Sequence, residues 1–213
     1  MKKNIAIVTF HDNNCNAYAM LSDKSKQFYC DKFGYKYFVH NVREFEERHC
    51  VWEKPNAMLK HFNEFDYVVW IDADACISNM DFDIADIFSD DSKTIYISID
   101  CYGYNAGVFA VKTNDTGRMF LNDVNLGYDK FKNASFREQS CISFLLKDKY
   151  SNDVLDVPIK KWNCYDNVYH HRINNIFEDG DFILHLPAED QLPRTNPPYR
   201  VKRFTEINRK NGI

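Results

Sequence analysis

Runs of consecutive apolar residues alternate with stretches of helical spacing from the beginning of the chain. Residues 4–10, NIAIVTF, form a nearly unbroken apolar run, which predicts a strand buried on both faces. Residues 17–33 then place apolar side chains at helical spacing, and Gly34 follows where a C-terminal cap belongs. A second strand is predicted over residues 35–40. A strand, a helix and a strand in this order form a βαβ unit, which requires a parallel sheet.

The most informative stretch is DYVVWIDADA, in which an apolar run ends at two acidic residues. Residues 67–71 predict a buried strand, and a helix that starts at Pro55 precedes it. If the strand geometry continues, Asp72 and Asp74 project from the same face, at the sheet edge where open α/β folds bind ligands. Two adjacent carboxylates repel each other unless they share a proton or bind a cation. The sequence favours a cation site, with a polar turn as the alternative.

The rest of the chain continues the alternation of strands and helices. The predicted elements are a short helix over 81–88, a strand over 94–100, a glycine-bearing loop and strand over 102–112, helices over 115–124 and 135–146, and a strand over 180–186. Beyond Pro193 the charged residues are mainly basic, which predicts either a tail that folds over a diphosphate or a solvated helix or linker. Together these elements predict one α/β domain with a mostly parallel central sheet flanked by helices.

Several candidate side chains lie close to the predicted strand ends and helix starts. Lys54 stands at the start of a predicted helix, where it could reach a phosphate or remain a solvated lysine. Gly107 would let the backbone approach a ligand closely, or would serve an ordinary tight connection. Glu138 lies three residues after Ser135, so it either acts in a site or closes a capping box at the helix start. His185, at the end of the last strand, is either structural or a nitrogen ligand beside the aspartates.

The composition argues against several classes of protein. The 213 residues carry a formal net charge of -4, whereas a nucleic-acid-binding domain normally has a strongly basic face. The seven cysteines contain no C-x-x-C pair, so neither a zinc site nor a disulfide framework is indicated. The N-terminal apolar run is too short for a signal peptide or a membrane span, and we therefore expect a cytoplasmic protein.

Four motifs occur in an order that is typical of one enzyme family. They are W-I-D-A-D-A at the end of the central strand, N-A-G-V-F after the glycine loop, E-Q-S at a helix start and G-D-F-I-L-H in the last strand. With the N-terminal βαβ unit, this set resembles the galactosyl/xylosyl/mannosyl transferase family of GT-A glycosyltransferases over residues 5–186. The resemblance implies a single GT-A, Rossmann-like domain over residues 1–213 that binds a nucleotide sugar. Its parts would be a nucleotide and metal half (about 1–100), a sugar and acceptor half (about 101–193) and the basic tail (194–213).

The resemblance also implies roles for individual residues. Asp72 and Asp74 would form the D-x-D motif that holds a divalent ion, Mn²⁺ or Mg²⁺, on a nucleotide diphosphate, and His185 would be the third protein ligand. Glu138 and Gln139 would be the catalytic residues beside the reacting carbon. The residues expected to contact the nucleotide sugar are Thr9, Phe10, Asp12, Lys54, Asp72, Asn105, Ala106, Gly107 and Arg194.

The sequence departs from the family pattern after His185. Relatives often carry a Gly and then a Lys shortly after this histidine, whereas here Leu186 is followed by P-A-E-D. The cation that binds the diphosphate must then come from elsewhere, and Arg194 and Lys202 are the candidates. Arg137 stands where relatives often carry an acidic residue, which affects the expected contacts to the donor sugar.

The activity implied by the resemblance is metal-dependent transfer of a hexose, pentose or deoxyhexose from a nucleotide diphosphate sugar, expected to be a UDP-sugar. The acceptor would be a glycan or glycoprotein, and the configuration would be retained. The chain also resembles the first domain of a virus-encoded capsid-glycosylating protein, which implies further C-terminal domains, no membrane span and a location in the host cytoplasm. The alternatives are a haloacid-dehalogenase-type phosphatase that uses Asp72, and a non-catalytic module that binds a sugar nucleotide.

Overall fold

The computed structural model describes residues 2–167, 175–187 and 196–213. The strands are β1 (Ile5–Phe10), β2 (Lys36–His40), β3 (Tyr67–Ile71), β4 (Ala75–Ile77), β5 (Ile95–Asp100), β6 (Gly103–Lys112), β7 (Val154–Asp156), β8 (Cys164–Tyr165) and β9 (Ile183–His185). The α-helices are α1 (Asn16–Phe33), α2 (Glu53–Leu59), α3 (Asp115–Leu126), α4 (Tyr128–Phe131), α5 (Arg137–Asp148) and α6 (Pro197–Lys210).

The central sheet has the strand order β2-β1-β3-β6-β5-β7. Strands β2, β1 and β3 are parallel, β6 is antiparallel to both of its neighbours, and β5 and β7 are again parallel. Because two reversals restore the original direction, β6 alone runs against the other strands of this sheet. The predicted α/β fold with a mostly parallel sheet is confirmed.

The predicted βαβ unit is present at the N-terminus, with β1 and β2 in parallel register. Helix α1 ends at Gly34, whose φ of 71° is the left-handed conformation that glycine adopts readily at a helix end. The buried residues of α1 include Ser22, Ser25 and Lys26, an unusual polar content for the buried side of a helix. These polar groups have partners on the chain segment that follows β3, described below.

A second, smaller sheet lies beyond the end of β3 and has the order β4-β9-β8. Its buried residue Leu184 packs in one apolar cluster with Phe204 and Ile207 of α6. The side chain of Asn196 accepts a hydrogen bond from the Tyr199 amide and caps the start of this helix. The described part of the basic tail is therefore a helix packed on the domain, not a linker.

Three local predictions differ from the structure. Helix α2 begins at Glu53, two residues before Pro55, because a proline in the first helical turn loses no intrahelical hydrogen bond. The helix predicted over 81–88 is a 3₁₀ segment, Ile84–Ser89. The predicted glycine loop is largely strand, since β6 already begins at Gly103, whose φ is 107°.

Apolar side chains cover both faces of the central sheet. On one face the core includes Met58, Phe120 and Ile142, which come from α2, α3 and α5. On the other face it includes Tyr29 of α1 and Phe88 of the 3₁₀ segment. Among the described residues, no helix is both long and apolar enough to cross a membrane.

Candidate metal centre

The acidic pair lies in a turn, so the strand geometry of β3 does not continue through it. The strand ends at Ile71, and the Ala75 amide donates to the Asp72 carbonyl oxygen over 3.1 Å, which closes a tight turn. The carboxylates converge because β9 pairs with β4 and places His185 opposite Ala75. Nε2 of His185 lies 3.9 Å from Asp72 Oδ2 and 3.4 Å from Asp74 Oδ1. Within the described ranges, these three side chains form the cluster that could hold a metal ion.

Hydrogen bonding indicates which nitrogen of His185 carries the proton. Its Nδ1 lies 2.9 Å from Asn163 Oδ1, and because an amide oxygen only accepts, Nδ1 is the donor. Nε2 then presents a lone pair towards Asp72 and Asp74, and it is buried without a hydrogen-bond partner. A lone pair beside two carboxylates is unfavourable unless a cation lies between them. These three residues therefore fit a divalent ion.

Buried polar groups support His185 on the side away from the aspartates. Asn163 Nδ2 donates to Asn105 Oδ1 over 2.9 Å, and Asn105 Nδ2 donates to Asp100 Oδ2 over 3.0 Å. The Tyr165 hydroxyl donates to the same Asp100 oxygen over 2.8 Å. Such outer partners fix the orientation of a ligating imidazole. Sequence reasoning missed Asn163, whose only signal is a polar residue inside the apolar run W-N-C-Y.

The N-A-G segment of β6 forms a bulge beside His185. Residues 106–108 have no partner on β5, so the strand departs from regular pairing there. A Cβ atom on Gly107 would lie 2.2 Å from His185 Cε1, which explains a glycine at this position. Gln139 of α5 accepts a hydrogen bond from the Ala106 amide over 3.0 Å and ties the bulge to that helix.

Lys54 connects the cluster of Asp72, Asp74 and His185, called the metal cluster below, to helix α5. Its buried ammonium lies 3.1 Å from Asp72 Oδ1 and 2.9 Å from Glu138 Oε1, and it donates to the Ala106 carbonyl over 3.1 Å. Burial disfavours the charge on Lys54, but the two carboxylates outweigh this effect and raise its pKa. Burial raises the pKa of Glu138, and the lysine opposes that shift. The three N–H groups of Lys54 thus already have three acceptors.

Glu138 does not close a capping box, so that alternative for its role does not hold. Helix α5 begins at Arg137, with Phe136 at its N-cap position and no side-chain cap bond. Arg137 adopts a φ of 41°, so the chain turns immediately before the helix and Ser135 is not the cap. The Glu138 carboxylate instead pairs with Lys54, and its side chain is only 6% exposed.

Helix α1 holds the backbone of the turn from Asp72 to Ala75, called the metal turn below. The fully buried Lys26 ammonium donates to the Asp72 carbonyl oxygen over 2.8 Å, and the Ser22 hydroxyl donates to the Ala75 carbonyl over 2.6 Å. Burial lowers the pKa of Lys26, and the nearby carboxylates oppose that shift. Sequence reasoning missed this contact. Its signal was the polar residues at positions 22, 25 and 26, whose spacing places them on one helix face.

Arg200 of α6 approaches the second aspartate. Its Nη2 lies 3.5 Å from Asp74 Oδ2, and its Nε donates to the Leu186 carbonyl oxygen over 2.8 Å. Burial pushes the pKa of Asp74 upwards, and the positive charge of Arg200 opposes that shift. The basic composition of the tail predicted a cation near the site without indicating which residue it would be.

The other predicted contacts lie at the sheet edge, on the tail helix or outside the described residues. Thr9 and Phe10 are the last residues of β1, and both are buried. Asp12 follows them in the adjoining segment and is half-buried. Lys202 is exposed on α6, and Arg194 lies outside the described residues.

Comparison with known sequences points to one glycosyltransferase family. The profile of the galactosyl transferase GMA12/MNN10 family matches residues 2–94, a segment that contains β1 to β3 and both aspartates. An uncharacterized alpha-1,2-galactosyltransferase of Schizosaccharomyces pombe (strain 972 / ATCC 24843) is 22% identical over 216 residues. That similarity covers 80% of this chain and 56% of the relative, so the chain spans about half the length of this curated relative.

Solved structures show the same architecture. A glycosyltransferase involved in the glycosylation of the major capsid of PBCV-1 superimposes with a TM-score of 0.73 at 16% identity, covering 95% of this chain and 99% of that one. The galactosyltransferase LgtC, in complex with donor and acceptor sugar analogs, gives 0.61 at 14% identity, covering 96% and 95%. These findings confirm the predicted resemblance. The chain has the GT-A fold of the glycosyltransferases, and its residues 2–94 match the profile of the GMA12/MNN10 galactosyl transferase family.

Proposed function

We propose that the chain transfers a sugar from a nucleotide diphosphate sugar, a UDP-sugar, to a glycan or glycoprotein acceptor with retention of configuration. The observation that carries this proposal is the cluster of Asp72, Asp74 and His185, with the unpartnered Nε2 lone pair directed at the two carboxylates. The GT-A fold and the family signature support it. A donor set that contains an imidazole favours Mn²⁺ over Mg²⁺.

The charges around the cluster suit a diphosphate once a divalent ion is bound. This region contains three carboxylates and three cations. The carboxylates are those of Asp72, Asp74 and Glu138, and the cations are Lys26, Lys54 and Arg200. Because His185 is neutral when only its Nδ1 is protonated, the protein groups alone balance to about zero. When bound, a divalent ion would supply positive charge against the negative charge that develops on a departing nucleotide diphosphate.

The protein's own contribution to the reaction is orientation and charge. In the proposal Asn105, Ala106 and Gly107 contact the donor sugar, and Gln139 holds that segment through the Ala106 amide. Glu138 places a negative charge near the sugar. Its ion pair with Lys54 favours a role in stabilising positive charge on the sugar over a role as nucleophile.

The nucleoside is assigned to the edge at the end of β1. In this proposal Thr9, Phe10 and Asp12 contact the base and ribose, because they lie at the same edge of the sheet as Asp72. Residues 1–100 would then supply most nucleotide contacts, and residues 101–193 the sugar and acceptor side. Arg194 stays a candidate for the diphosphate.

The first experiment is thermal unfolding with UDP, GDP or ADP, each with and without Mn²⁺. A ligand at about 100 times its Kd stabilises the native state by about 2.7 kcal/mol, so a shift with UDP and Mn²⁺ together is expected. Asp74→Asn should remove this shift. Asp81→Asn is the matched control, because Asp81 is 92% exposed and lies outside the metal cluster. Equal shifts in both variants would refute the metal assignment.

Turnover distinguishes the enzyme from the alternatives. Release of UDP from UDP-glucose, UDP-galactose or UDP-xylose is expected, and Glu138→Gln should lower it much more than it lowers UDP binding. Binding without any release would indicate a non-catalytic module. Hydrolysis of p-nitrophenyl phosphate without nucleotide binding would indicate the phosphatase, although that class carries its acidic pair on the first strand and here the pair follows β3.

A further inference from the structure

The buried cations of the site differ in how completely their N–H groups are used. Lys54 has three acceptors for its three N–H groups, and Lys26 donates to the Asp72 carbonyl. Nη2 of Arg200 is buried but has no hydrogen-bond partner. Its distance of 3.5 Å to Asp74 Oδ2 is an electrostatic contact and not a hydrogen bond of normal geometry. Among these three cations, Arg200 is the one with a terminal nitrogen that has no hydrogen-bond partner.

The guanidinium of Arg200 is fixed by contacts that do not involve its Nη2. Nε donates to the Leu186 carbonyl, and the Leu186 amide in turn donates to the Asp74 carbonyl over 2.9 Å. The guanidinium carbon lies 4.8 Å from the centre of the Tyr18 ring, which supports the planar group by a cation–π contact. These contacts join α6 to the metal turn and leave Nη2 at the Asp74 side chain.

We infer that Arg200 binds the diphosphate of the nucleotide sugar, in place of Arg194 or Lys202. The inference rests on the proposed function. A divalent ion that takes the Asp74 carboxylate as a ligand removes part of the negative charge that Nη2 faces in the metal-free protein. The unused N–H groups then lie beside the ion that would carry the diphosphate. A guanidinium suits this task because its donors form a planar fork that matches phosphate oxygens.

Lys202 provides a matched control on the same helix. Two residues along an α-helix correspond to a rotation of about 200°, so Lys202 points away from Arg200. The side chain of Lys202 is exposed, whereas Arg200 is 5% exposed. Arg200→Met and Lys202→Met therefore remove one positive charge each from the same helix, one at the metal cluster and one in solvent.

The test measures two affinities in each variant, that of Mn²⁺ alone and that of UDP at saturating Mn²⁺. Arg200→Met should weaken UDP binding about 10- to 100-fold, the range expected for charge-assisted hydrogen bonds. Its affinity for Mn²⁺ alone should stay the same or increase, because a positive charge next to Asp74 has been removed. Lys202→Met should leave both affinities within about twofold, a change of less than 0.5 kcal/mol. These opposite effects identify a phosphate-binding residue.

The alternative role for Arg200 is to orient Asp74, and it gives a different result. Parallel losses of Mn²⁺ and UDP affinity in Arg200→Met would overturn the inference, as would UDP binding that stays at the wild-type level. Arg200→Lys serves if the methionine variant does not fold, because it keeps the charge but lacks the fork, and a loss confined to UDP is again expected. If the wild-type chain itself binds no UDP with Mn²⁺, the proposed function fails as well.

Discussion

Replacing Gly107 by alanine tests whether the bulge in β6 exists to make room for His185. The added Cβ atom would lie 2.2 Å from His185 Cε1 and 2.8 Å from its Nδ1. Ordinary contact begins near 3.4 Å, so the ring must move by about 1.2 Å or the bulge must shift by that amount. Metal ligands tolerate displacements of only about 0.2 Å. We therefore expect Gly107→Ala to displace the nitrogen ligand and to break its bond to Asn163.

The expected loss of Mn²⁺ affinity is larger than the loss caused by removing a residue that only supports a metal ligand. Removing an outer partner of a metal ligand typically costs about 10- to 100-fold in metal affinity, and a displaced ligand should cost at least this much. In free energy this corresponds to about 1.4 to 2.7 kcal/mol. The assay titrates the protein with Mn²⁺ and measures the free ion by electron paramagnetic resonance. Overpacking should also lower the free energy of unfolding by about 1 to 3 kcal/mol.

A second glycine separates the loss of metal from the loss of stability. A Cβ atom on Gly127 would lie 2.3 Å from Cys141 Sγ, a clash of similar severity, in a part of the core that contains no metal ligand. Gly127→Ala should therefore lower stability but leave Mn²⁺ affinity at the wild-type value. Wild-type affinity in Gly107→Ala, or an equal loss in both variants, would refute the reasoning.

Three further predictions concern the ion pairs, a half-buried histidine and the helix caps. Lys54→Met leaves two carboxylates without their buried partner and should lower the free energy of unfolding in urea by about 3 to 5 kcal/mol, and adding Glu138→Gln should recover part of this loss. Burial and a neighbouring histidine lower the pKa of His40 to about 4, so the unfolded state binds more protons below pH 6.5. Stability should therefore fall as the pH decreases from about 6.5 to about 4, and His40→Gln should reduce this slope in urea titrations at several pH values. Ser135→Ala should change thermal stability by less than about 0.5 kcal/mol, whereas Asn114→Ala, which removes the side-chain cap of α3, should cost about 1 kcal/mol.

The sequence alone predicted the parts of the fold that depend on local patterns. The continuous apolar run of β1, the helical spacing of α1 and the glycine after it reflect interactions within a few residues of each other, and all three predictions are confirmed. The capping box of Ser135 and Glu138, one of the two roles considered for Glu138, was also a local pattern, but it does not form. A buried carboxylate gains more from the ammonium of Lys54 than from a helix cap, so a contact between distant residues decided the position of Glu138.

The sequence indicated the candidate metal ligands but not the residues that hold them in place. The D-x-D pair follows a conspicuous apolar strand, and His185 ends another, so both could be found in the sequence. Lys26 and Asn163 were missed, because each contacts the site from a different element and a polar residue in a buried position does not indicate which group it contacts. Their roles become visible only when the sheet order and the packing of α1 are known.

The support network changes the expected cost of losing an aspartate. If the D-x-D pair were only two repelling carboxylates, the protein should become more stable when one of them is removed. In the structure each carboxylate has a cation of its own, Lys54 beside Asp72 and Arg200 beside Asp74. Removing Asp74 therefore relieves one repulsion but leaves the guanidinium of Arg200 buried without its counter-charge, which is costly. The acidic pair, besides being the candidate metal ligands, thus helps to hold α6 on the domain. The aspartate variants should therefore be compared with wild type at equal stability before any loss of binding is assigned to the metal.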